Sequence, residues 1–346
     1  MDVRTTIEEA LQQRILIIDG AMGTMIQRHK LEEKDYRGER FSDWASDLKG
    51  NNDLLVLTQP EIVEGIHREY LEAGADIIET NTFNAQRISM ADYHMEDLAF
   101  EMNVAAAKLA RKAAADYTAR NPAKPRFVAG AIGPLTVSLS NSPDADDPGF
   151  RVVTFDQVKA AYAHQVRALI AGGSDMLLVE TIFDSLNAKA ALVAIREVYD
   201  QDGLAASGRE LPVMISAAVG RGGETLISAQ TTEAFWNAVK HVKPLSVGLN
   251  CSLGPDLMYP FLEELSEKAD VAISCYPNAG LPNPLSETGF DLGPPDMARY
   301  LGDFARGGVI NIAGGCCGNT PEHIAAIAKA LEGQAPRRLD QIEDAA

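Results

Sequence analysis

The sequence predicts an α/β fold, a single (β/α)8 TIM barrel with long loops at its C-terminal face. Three observations predict it: eight short apolar runs follow one another, helical patterns separate them, and the length of 346 residues suits one barrel with insertions. Barrels of this class have about 250 residues before insertions are added. We expect the barrel to occupy residues 1–333 and residues 334–346 to form a C-terminal tail or linker.

The eight apolar runs have the composition of strands that are buried on both faces. Most are near-continuous and rich in valine and isoleucine, as in parallel sheets that are covered by helices. In chain order, the predicted strands are 15–19, 76–80, 127–133, 176–181, 213–218, 246–251, 271–277 and 309–315.

Helical patterns lie between these runs. The pattern before the second run begins at Pro60, a residue favoured at the first position of a helix. The pattern before the fourth run ends on two glycines, which are typical of a helix C-terminus. Strand–helix alternation repeated eight times favours a closed parallel barrel. The alternative, an open doubly wound sheet, would need a Gly-x-Gly-x-x-Gly turn after the first strand, but residues 19–23 read DGAMG.

Two insertions are longer than simple turns. Residues 29–57 follow the first strand, and residues 134–154, which are rich in serine, proline and aspartate, follow the third. In a barrel of this class both segments leave the C-terminal face, where active sites lie. We therefore expect them to border the functional site.

Charge and hydropathy count against several classes of function. Lys and Arg number 31 against 49 Asp and Glu, a net charge of −18, which disfavours binding to nucleic acid or to anionic membranes. No apolar run approaches the roughly 20 residues that span a bilayer, and the N-terminal segment lacks the apolar core of a signal peptide. The sequence predicts a cytoplasmic protein whose four cysteines form no disulfide framework.

Polar side chains and cysteines cluster at the ends of the predicted strands. A closed barrel brings the C-terminal ends of all its strands to one face, so residues far apart in the sequence meet there. Cysteines end the sixth and eighth strands, which only one strand separates. The strand-end residues are Asp19, Asn81, Glu180, Cys251, Asn278, Cys316 and Cys317.

Three of the four cysteines, Cys251, Cys316 and Cys317, form a candidate metal site. Three thiolates on Zn2+ leave one tetrahedral position open, which is the arrangement of a catalytic site. Adjacent cysteines cannot both point inward from a regular strand, but the glycines around them allow the backbone to depart from strand geometry. The same pattern is compatible with a redox disulfide or with plain packing. We expect Cys275, which lies inside an apolar run, to be a core residue.

The two acidic strand-end residues have alternative interpretations. Asp19 precedes a glycine, and Asp-Gly is a common turn dipeptide, so Asp19 is compatible with a structural turn or with ligand binding. Glu180 is compatible with ligand binding or with capping of the following helix.

Seven stretches, which run from about residue 14 to about residue 333, resemble those of a known family. They are IDGAMGTMIQ, DYRGERF, LKGNNDLLVLTQPEIVEGIHREYLEAGADIIETNTF, ETIFDSLNAKAA, GLNCSLGP, YPNAGLPN and NIAGGCCGNTPEHI. With these stretches the chain resembles the homocysteine S-methyltransferase family, and GLNC together with GGCCG is specific to that family. DYRGERF and GNNDLLVLTQP point to its cobalamin-dependent branch, the N-terminal homocysteine-binding module of cobalamin-dependent methionine synthases.

The resemblance implies the roles of five residues. Cys251, Cys316 and Cys317 would bind one catalytic Zn2+, and the sulfur of homocysteine would take the open position. Asp19 and Glu180 match acidic positions that hold the amino group of the substrate in this family.

Four further residues are expected at the substrate. Backbone N–H groups near Gly20 and Ala21 would bind the carboxylate of homocysteine. Asn278 would lend its amide oxygen to zinc or to substrate, and Asn81 would join the substrate-binding residues.

Together these expectations describe a zinc-dependent homocysteine S-methyltransferase that forms methionine. Whole cobalamin-dependent methionine synthases continue into folate-binding and cobalamin-binding modules, whereas this sequence contains no D-x-H-x-x-G cobalamin signature. We therefore expect the homocysteine-activating subunit of a split enzyme, with methylcobalamin supplied by a separate corrinoid- and folate-binding chain. Two alternatives stay open: a stand-alone methyltransferase with a small donor such as betaine or S-methylmethionine, and a non-enzymatic zinc or redox protein.

Overall fold

Eight parallel strands form one sheet at the centre of the molecule, in the order β1-β8-β7-β6-β5-β4-β3-β2. The structure, a computed structural model, describes residues 3–286 and 288–339. The strands are β1 (Leu16–Ile17), β2 (Ile77–Glu79), β3 (Phe127–Ile132), β4 (Met176–Ile182), β5 (Val213–Ala217), β6 (Ser246–Asn250), β7 (Ala272–Tyr276) and β8 (Ile312–Ala313).

Backbone hydrogen bonds between the two outer strands, β1 and β2, close the sheet into a barrel. Ile18 forms a parallel bridge with Ile77. The Asp76 amide donates to the Ile17 carbonyl over 2.7 Å, and the Asp19 amide donates to the Ile77 carbonyl over 3.0 Å. The predicted (β/α)8 barrel is therefore confirmed, and each predicted apolar run coincides with one strand to within a few residues.

Helices surround this barrel and form its outer layer. The α-helices of the described residues are α1 (Val3–Gln13), α2 (Met22–Arg28), α3 (Glu33–Arg37), α4 (Leu55–Thr58), α5 (Pro60–Glu72), α6 (Arg87–Met90), α7 (Ala99–Arg120), α8 (Phe155–Gly172), α9 (Ser185–Gln201), α10 (Leu204–Ser207), α11 (Thr232–Val239), α12 (Pro255–Lys268), α13 (Pro294–Arg306) and α14 (Pro321–Leu331). The ring that alternates with the strands consists of α5, α7, α8, α9, α11, α12, α13 and α14. None of the described helices combines the length and apolar character that a membrane span needs.

Helix α8 illustrates how the sequence determines helix boundaries. The Thr154 hydroxyl accepts a hydrogen bond from the Gln157 amide over 3.2 Å, and the Gln157 side chain accepts one from the Thr154 amide over 2.8 Å. This reciprocal capping box satisfies amides that the first helical turn leaves without partners. At the other end Gly173 adopts a left-handed conformation with φ of 95°, so the predicted glycine terminus is confirmed.

Strand side chains alternate between two hydrophobic cores. One core fills the barrel interior, and helix α1 closes its N-terminal end through Ile7 and Leu11. The other core lies between the strands and the outer helices. In β2, Ile77 belongs to the interior core and Ile78 to the outer one. The next residue, Glu79, therefore faces the interior again.

The insertion after β3, residues 134–154, is held in place by two charged side chains. The Asp184 carboxylate accepts hydrogen bonds from the amides of Leu139 and Ser140, over 3.1 and 3.0 Å. The Arg151 guanidinium donates to the carbonyls of the same two residues, over 2.7 and 2.9 Å. This loop of the C-terminal face is therefore ordered by contacts with the barrel and within itself.

The described part of the predicted tail, residues 334–339, contacts the opposite, N-terminal face of the barrel. The Arg337 guanidinium donates to the carbonyls of Ser266 and Ala269, over 2.6 and 2.5 Å. The remaining tail residues, 340–346, lie outside the described residues. The domain boundary after residue 333 stays a prediction.

Candidate active site

Three thiols meet at the C-terminal mouth of the barrel. Cys251 follows β6, and Cys316 and Cys317 follow β8. The Cys317 sulfur lies 3.9 Å from that of Cys251 and 4.0 Å from that of Cys316, and all three sulfurs lie within 4.8 Å of one another. In a tetrahedral zinc site with Zn–S bonds of about 2.3 Å, the sulfurs are about 3.8 Å apart. The three thiols therefore have the spacing that one tetrahedral ion requires.

The backbone around these cysteines departs from strand geometry. Cys251 and Ser252 have φ of 58° and 51°, a left-handed conformation that is uncommon for residues other than glycine. After β8, Gly318 has φ of 80°, and a Cβ on Gly315 would come within 2.1 Å of the Asn319 side chain. Only glycine fits both positions without strain, and these positions allow the adjacent cysteines to turn toward Cys251.

The other two thiols stabilise the thiolate of Cys251. Hydrogen bonds from Cys316 and Cys317 lower the pKa of Cys251 to about 3, and the Asn278 side chain adds a further hydrogen bond. The same contact with Cys251 raises the pKa of Cys316 well above its usual range and that of Cys317 to about 12. These shifts favour a thiolate at Cys251 over one at Cys316 or Cys317.

The fourth cysteine, Cys275, lies away from this trio. It is fully buried in the core between strands and helices, and its sulfur lies 3.6 Å from the sulfur of Met258. Its predicted role as a core residue is confirmed. All four cysteines are free thiols, and the 4.0 Å between the adjacent sulfurs of Cys316 and Cys317 is far from the roughly 2.05 Å of a disulfide.

Three carboxyl groups, those of Asp19, Glu79 and Glu180, lie beside the thiols. Asp19 Oδ2 accepts a hydrogen bond from the Glu79 backbone amide over 3.0 Å, and the carboxyl groups of Glu79 and Glu180 are hydrogen-bonded to each other. Burial raises the pKa of Glu79 to about 7 and those of Asp19 and Glu180 well above their usual range. The negative charge of Cys251 also raises the pKa of Glu180, so the thiols and the carboxyl groups form one site.

Glu79 is a site residue that the sequence analysis missed. Glu79 is the penultimate residue of the predicted run 76–80, as Glu180 is of the run 176–181, yet only Glu180 was predicted as a site residue. The signal was nevertheless present, because a glutamate two residues after an inward-facing isoleucine must also face the barrel interior.

Asn250, which precedes Cys251, was missed as well. Asn250 Oδ1 accepts hydrogen bonds from the Thr181 amide over 3.1 Å and from the Ser216 hydroxyl over 2.7 Å, and Asn250 Nδ2 donates to the Thr181 hydroxyl over 2.8 Å. Thr181 has φ of 53°, a strained conformation for a β-branched residue. These bonds link Thr181, the strained residue after Glu180, to β6, the strand that ends just before Cys251.

The two predicted asparagines differ in their surroundings. Asn278 is 7% exposed, and its Oδ1 atom has no hydrogen-bond partner, although its side chain contacts Cys251. Asn81 Nδ2 donates to the Asn52 carbonyl over 2.8 Å, so this amide group positions the insertion after β1. The role of Asn81 in substrate binding stays a prediction.

The turn after β1 is packed tightly. A Cβ on Gly20 would come within 2.6 Å of the Tyr70 ring, and the Tyr70 hydroxyl donates to the Ala21 carbonyl over 3.0 Å. The Ala21 amide donates to the Asn319 carbonyl over 3.2 Å. The Ala21 amide therefore already has a partner within the protein. The expectation that backbone N–H groups near Gly20 and Ala21 bind the carboxylate stays a prediction.

Solved structures of the homocysteine methyltransferase MmuM from Escherichia coli have the same fold. The metallated form is 23% identical in sequence, with a TM-score of 0.70 over 94% of this chain and 99% of that chain. The oxidised form is 22% identical, with a TM-score of 0.67 over 91% of this chain and 95% of that chain. This likeness shows a common architecture along nearly the whole length of both chains.

A family profile gives the assignment that the fold alone does not give. The profile described as Homocysteine S-methyltransferase matches residues 16–331, which include all eight strands and the three clustered cysteines. The chain is therefore a methyltransferase, and it belongs to the homocysteine S-methyltransferase family.

Proposed function

We propose that this chain is a zinc-dependent homocysteine S-methyltransferase that converts homocysteine into methionine. The observation that carries the proposal is the position of three closely spaced thiols beside three buried carboxyl groups at one barrel mouth. Thiolates are preferred ligands of Zn2+, and carboxylates are the natural partners of an ammonium group. Homocysteine carries both a thiol and an ammonium group, so one molecule can engage both clusters.

The donor set fits a zinc ion. Cys251, Cys316 and Cys317 would hold it, because their sulfur spacing is close to that of a tetrahedral zinc–thiolate site. When bound, zinc lowers the pKa of the homocysteine thiol and so supplies a thiolate nucleophile at neutral pH. The Asn278 side chain contacts Cys251 and has an oxygen without a partner. That oxygen is available to the fourth position in the absence of substrate.

The protein's own side chains orient the substrate. We assign to Asp19 and Glu180 the binding of the ammonium group, because both are almost fully buried and neither has a cationic partner among the described residues. A fixed ammonium and a fixed sulfur together leave homocysteine little rotational freedom. Such positioning lowers the entropic cost of reaching the methyl donor.

We further propose that the methyl group arrives on methylcobalamin bound to a separate corrinoid-binding chain. The segments that resemble the cobalamin-dependent branch contact each other at the mouth: the Tyr36 hydroxyl donates to Asn52 Oδ1 over 2.9 Å, and Gln59 Nε2 donates to the Asp35 carbonyl over 2.8 Å. Asn52 in turn accepts the hydrogen bond from Asn81. These segments therefore border the opening through which a donor must approach the sulfur.

A panel of methyl donors tests the donor assignment. Purified zinc-loaded protein would be incubated with homocysteine and either free methylcobalamin, betaine or S-methylmethionine, and methionine would be quantified. We expect methionine with methylcobalamin and none above background with the two small donors. Turnover with betaine or S-methylmethionine alone would establish the stand-alone alternative and contradict the split-enzyme proposal.

Cysteine variants test the zinc assignment. We expect Cys316→Ala to lose most of its zinc and its activity while its circular dichroism stays close to that of the wild type, because the barrel has large cores of its own. The matched control is Cys275→Ala, which removes a buried thiol outside the trio and should retain one zinc per chain. Full zinc retention in Cys316→Ala would contradict the assignment.

A further inference from the structure

In the part of the chain that the structure describes, no cationic side chain forms an ion pair with Asp19, Glu79 or Glu180. The groups come from three different strand regions, yet they contact one another inside the barrel mouth. Buried acidic groups are normally paired with cations or hydrogen-bond donors. Their convergence is suited to a positive charge that comes from outside the protein.

An unpartnered atom marks the place where a ligand donor belongs. Asp19 is 3% exposed, and its Oδ2 atom accepts a hydrogen bond from the Glu79 amide. Its other oxygen, Oδ1, is buried and has no hydrogen-bond partner among the described residues. Buried polar atoms nearly always have a partner. Asp19 therefore presents a free acceptor within the same cluster as Glu79 and Glu180.

A primary ammonium group has three N–H donors, and this cluster offers an acceptor for each of them. We propose that Glu79 determines substrate specificity by accepting the third ammonium hydrogen bond, next to those accepted by Asp19 and Glu180. The proposal rests on the proposed function, since it takes homocysteine as the substrate. Glu79 faces the interior from β2 and is hydrogen-bonded to Glu180, so it is within reach of any group that Glu180 binds.

The preference for thiols that carry an amino group follows from the cost of keeping the three acidic groups away from water. A thiol without an amino group would enter the same mouth and bring neither an N–H donor nor a positive charge to the three acidic groups. Sites built to hydrogen-bond a polar group reject analogues that lack it far more strongly than apolar pockets reject a missing methylene. Glu79 thus increases the preference of the site for amino acid thiols over simple thiols.

The test compares two ligands in two proteins by titration calorimetry. Homocysteine and 4-sulfanylbutanoate, which is homocysteine without its amino group, would be titrated into zinc-loaded wild type and Glu79→Gln. The substitution preserves size and removes the charge. We expect the preference for homocysteine to fall by about 10- to 100-fold, the range for a hydrogen bond to a charged group. Zinc content should not change, because Glu79 is not one of the clustered thiols.

Controls separate this proposal from the proposed function. Asp53→Asn removes another carboxyl group, 6% exposed, that accepts a hydrogen bond from the Asn84 amide and lies outside the cluster, and it should leave the preference unchanged. An unchanged preference in Glu79→Gln would overturn the role of Glu79. Absence of any preference in the wild type would instead contradict the proposed binding of the ammonium group.

A second variant covers the case in which Glu79→Gln does not fold. Glu79→Asp retains the charge and withdraws it by one methylene, so we expect a smaller loss of preference, of about 3- to 10-fold. If Glu79→Asp binds both ligands with the wild-type preference, the proposal is wrong.

Discussion

Asp76 and Glu79 lie three residues apart in the sequence, at opposite ends of β2, and their surroundings are opposite too. The Asp76 carboxylate is buried at the N-terminal face, where Arg14 lies 2.7 Å away, Lys124 3.6 Å and Arg126 3.9 Å. The Glu79 carboxyl group at the mouth lies near the carboxyl groups of Asp19 and Glu180 and the Tyr276 hydroxyl, and no ion pair among the described residues includes it.

This difference distinguishes a buried charge that stabilises the fold, at Asp76, from one that is available to a ligand, at Glu79. At the N-terminal face the protein supplies every partner of its buried acidic group, and in (β/α)8 barrels this face serves stability. At the C-terminal face the partners are missing among the described residues, and a ligand that brings both a soft sulfur and an ammonium group would supply them. The buried acidic groups at the mouth are unfavourable in the ligand-free protein, and a positively charged ligand would relieve that cost. Such unfavourable charges are common in sites that bind charged ligands.

The largest expected effect on stability is at Asp76. Asp76→Ala would remove the carboxylate that lies 3.9 Å from the buried Arg126 guanidinium, and it would leave the Ile17 amide without its acceptor. Removing one partner of a buried ion pair typically destabilises a protein by about 3–5 kcal/mol. We expect a decrease of that size in the free energy of unfolding, measured by urea denaturation. A decrease below about 1 kcal/mol would mean that Asp76 is not a structural anchor.

A large effect on binding is expected at Glu180. Glu180→Gln should weaken homocysteine binding by at least about 30-fold, because losing one partner of a desolvated charge pair costs about 2–5 kcal/mol. Zinc content should be unchanged, and 4-sulfanylbutanoate should lose little affinity, since it has no ammonium to pair. Normal homocysteine binding in this variant would show that Glu180 has only a structural role.

The smallest expected effect is a gain in stability in Glu79→Gln without substrate. Burial raises the pKa of Glu79 to about 7 from an ordinary 4.5, so the folded wild type disfavours the ionised form. The groups that face it, Asp19, Glu180 and Tyr276, bring no positive charge. The wild type therefore loses stability as pH rises from about 4.5 to about 7.

Thermal unfolding at several pH values measures this gain. Glu79→Gln lacks the ionisable group, so it should be more stable than the wild type at pH 8 by up to about 3 kcal/mol, and the difference should vanish near pH 4.5. A variant that is less stable than the wild type at pH 8 would show that the Glu79 charge is compensated within the protein.

Much of this architecture could be predicted from the sequence, because parallel barrel strands are buried on both faces and leave near-continuous apolar runs. The convergence of Cys251 with Cys316 and Cys317 follows from strand order alone once the barrel closes. Glu79 was not predicted, although it has the same position in its apolar run as Glu180 has in the fourth run. Its inward direction could have been deduced from side-chain alternation in β2.

Other details depend on long-range contacts that local sequence does not encode. The Ala21 amide pairs with the carbonyl of Asn319, almost 300 positions away in the chain, and no turn propensity near Ala21 indicates that partner. The network of Asn250 with Thr181 and Ser216 joins three strands, and only their register brings these side chains together.

The proposal that homocysteine binds as a thiolate is tested most directly by counting protons. Thiols of this kind titrate near 8.5 and are mostly protonated at neutral pH, so binding as a zinc thiolate should release about one proton. Calorimetry in buffers of different ionisation enthalpy measures that number. The ligand 2-aminobutanoate, which keeps the ammonium and lacks the thiol, corrects for protons exchanged by the carboxyl groups. We predict a corrected release of about one proton per homocysteine, whereas a corrected release of zero would contradict thiolate binding.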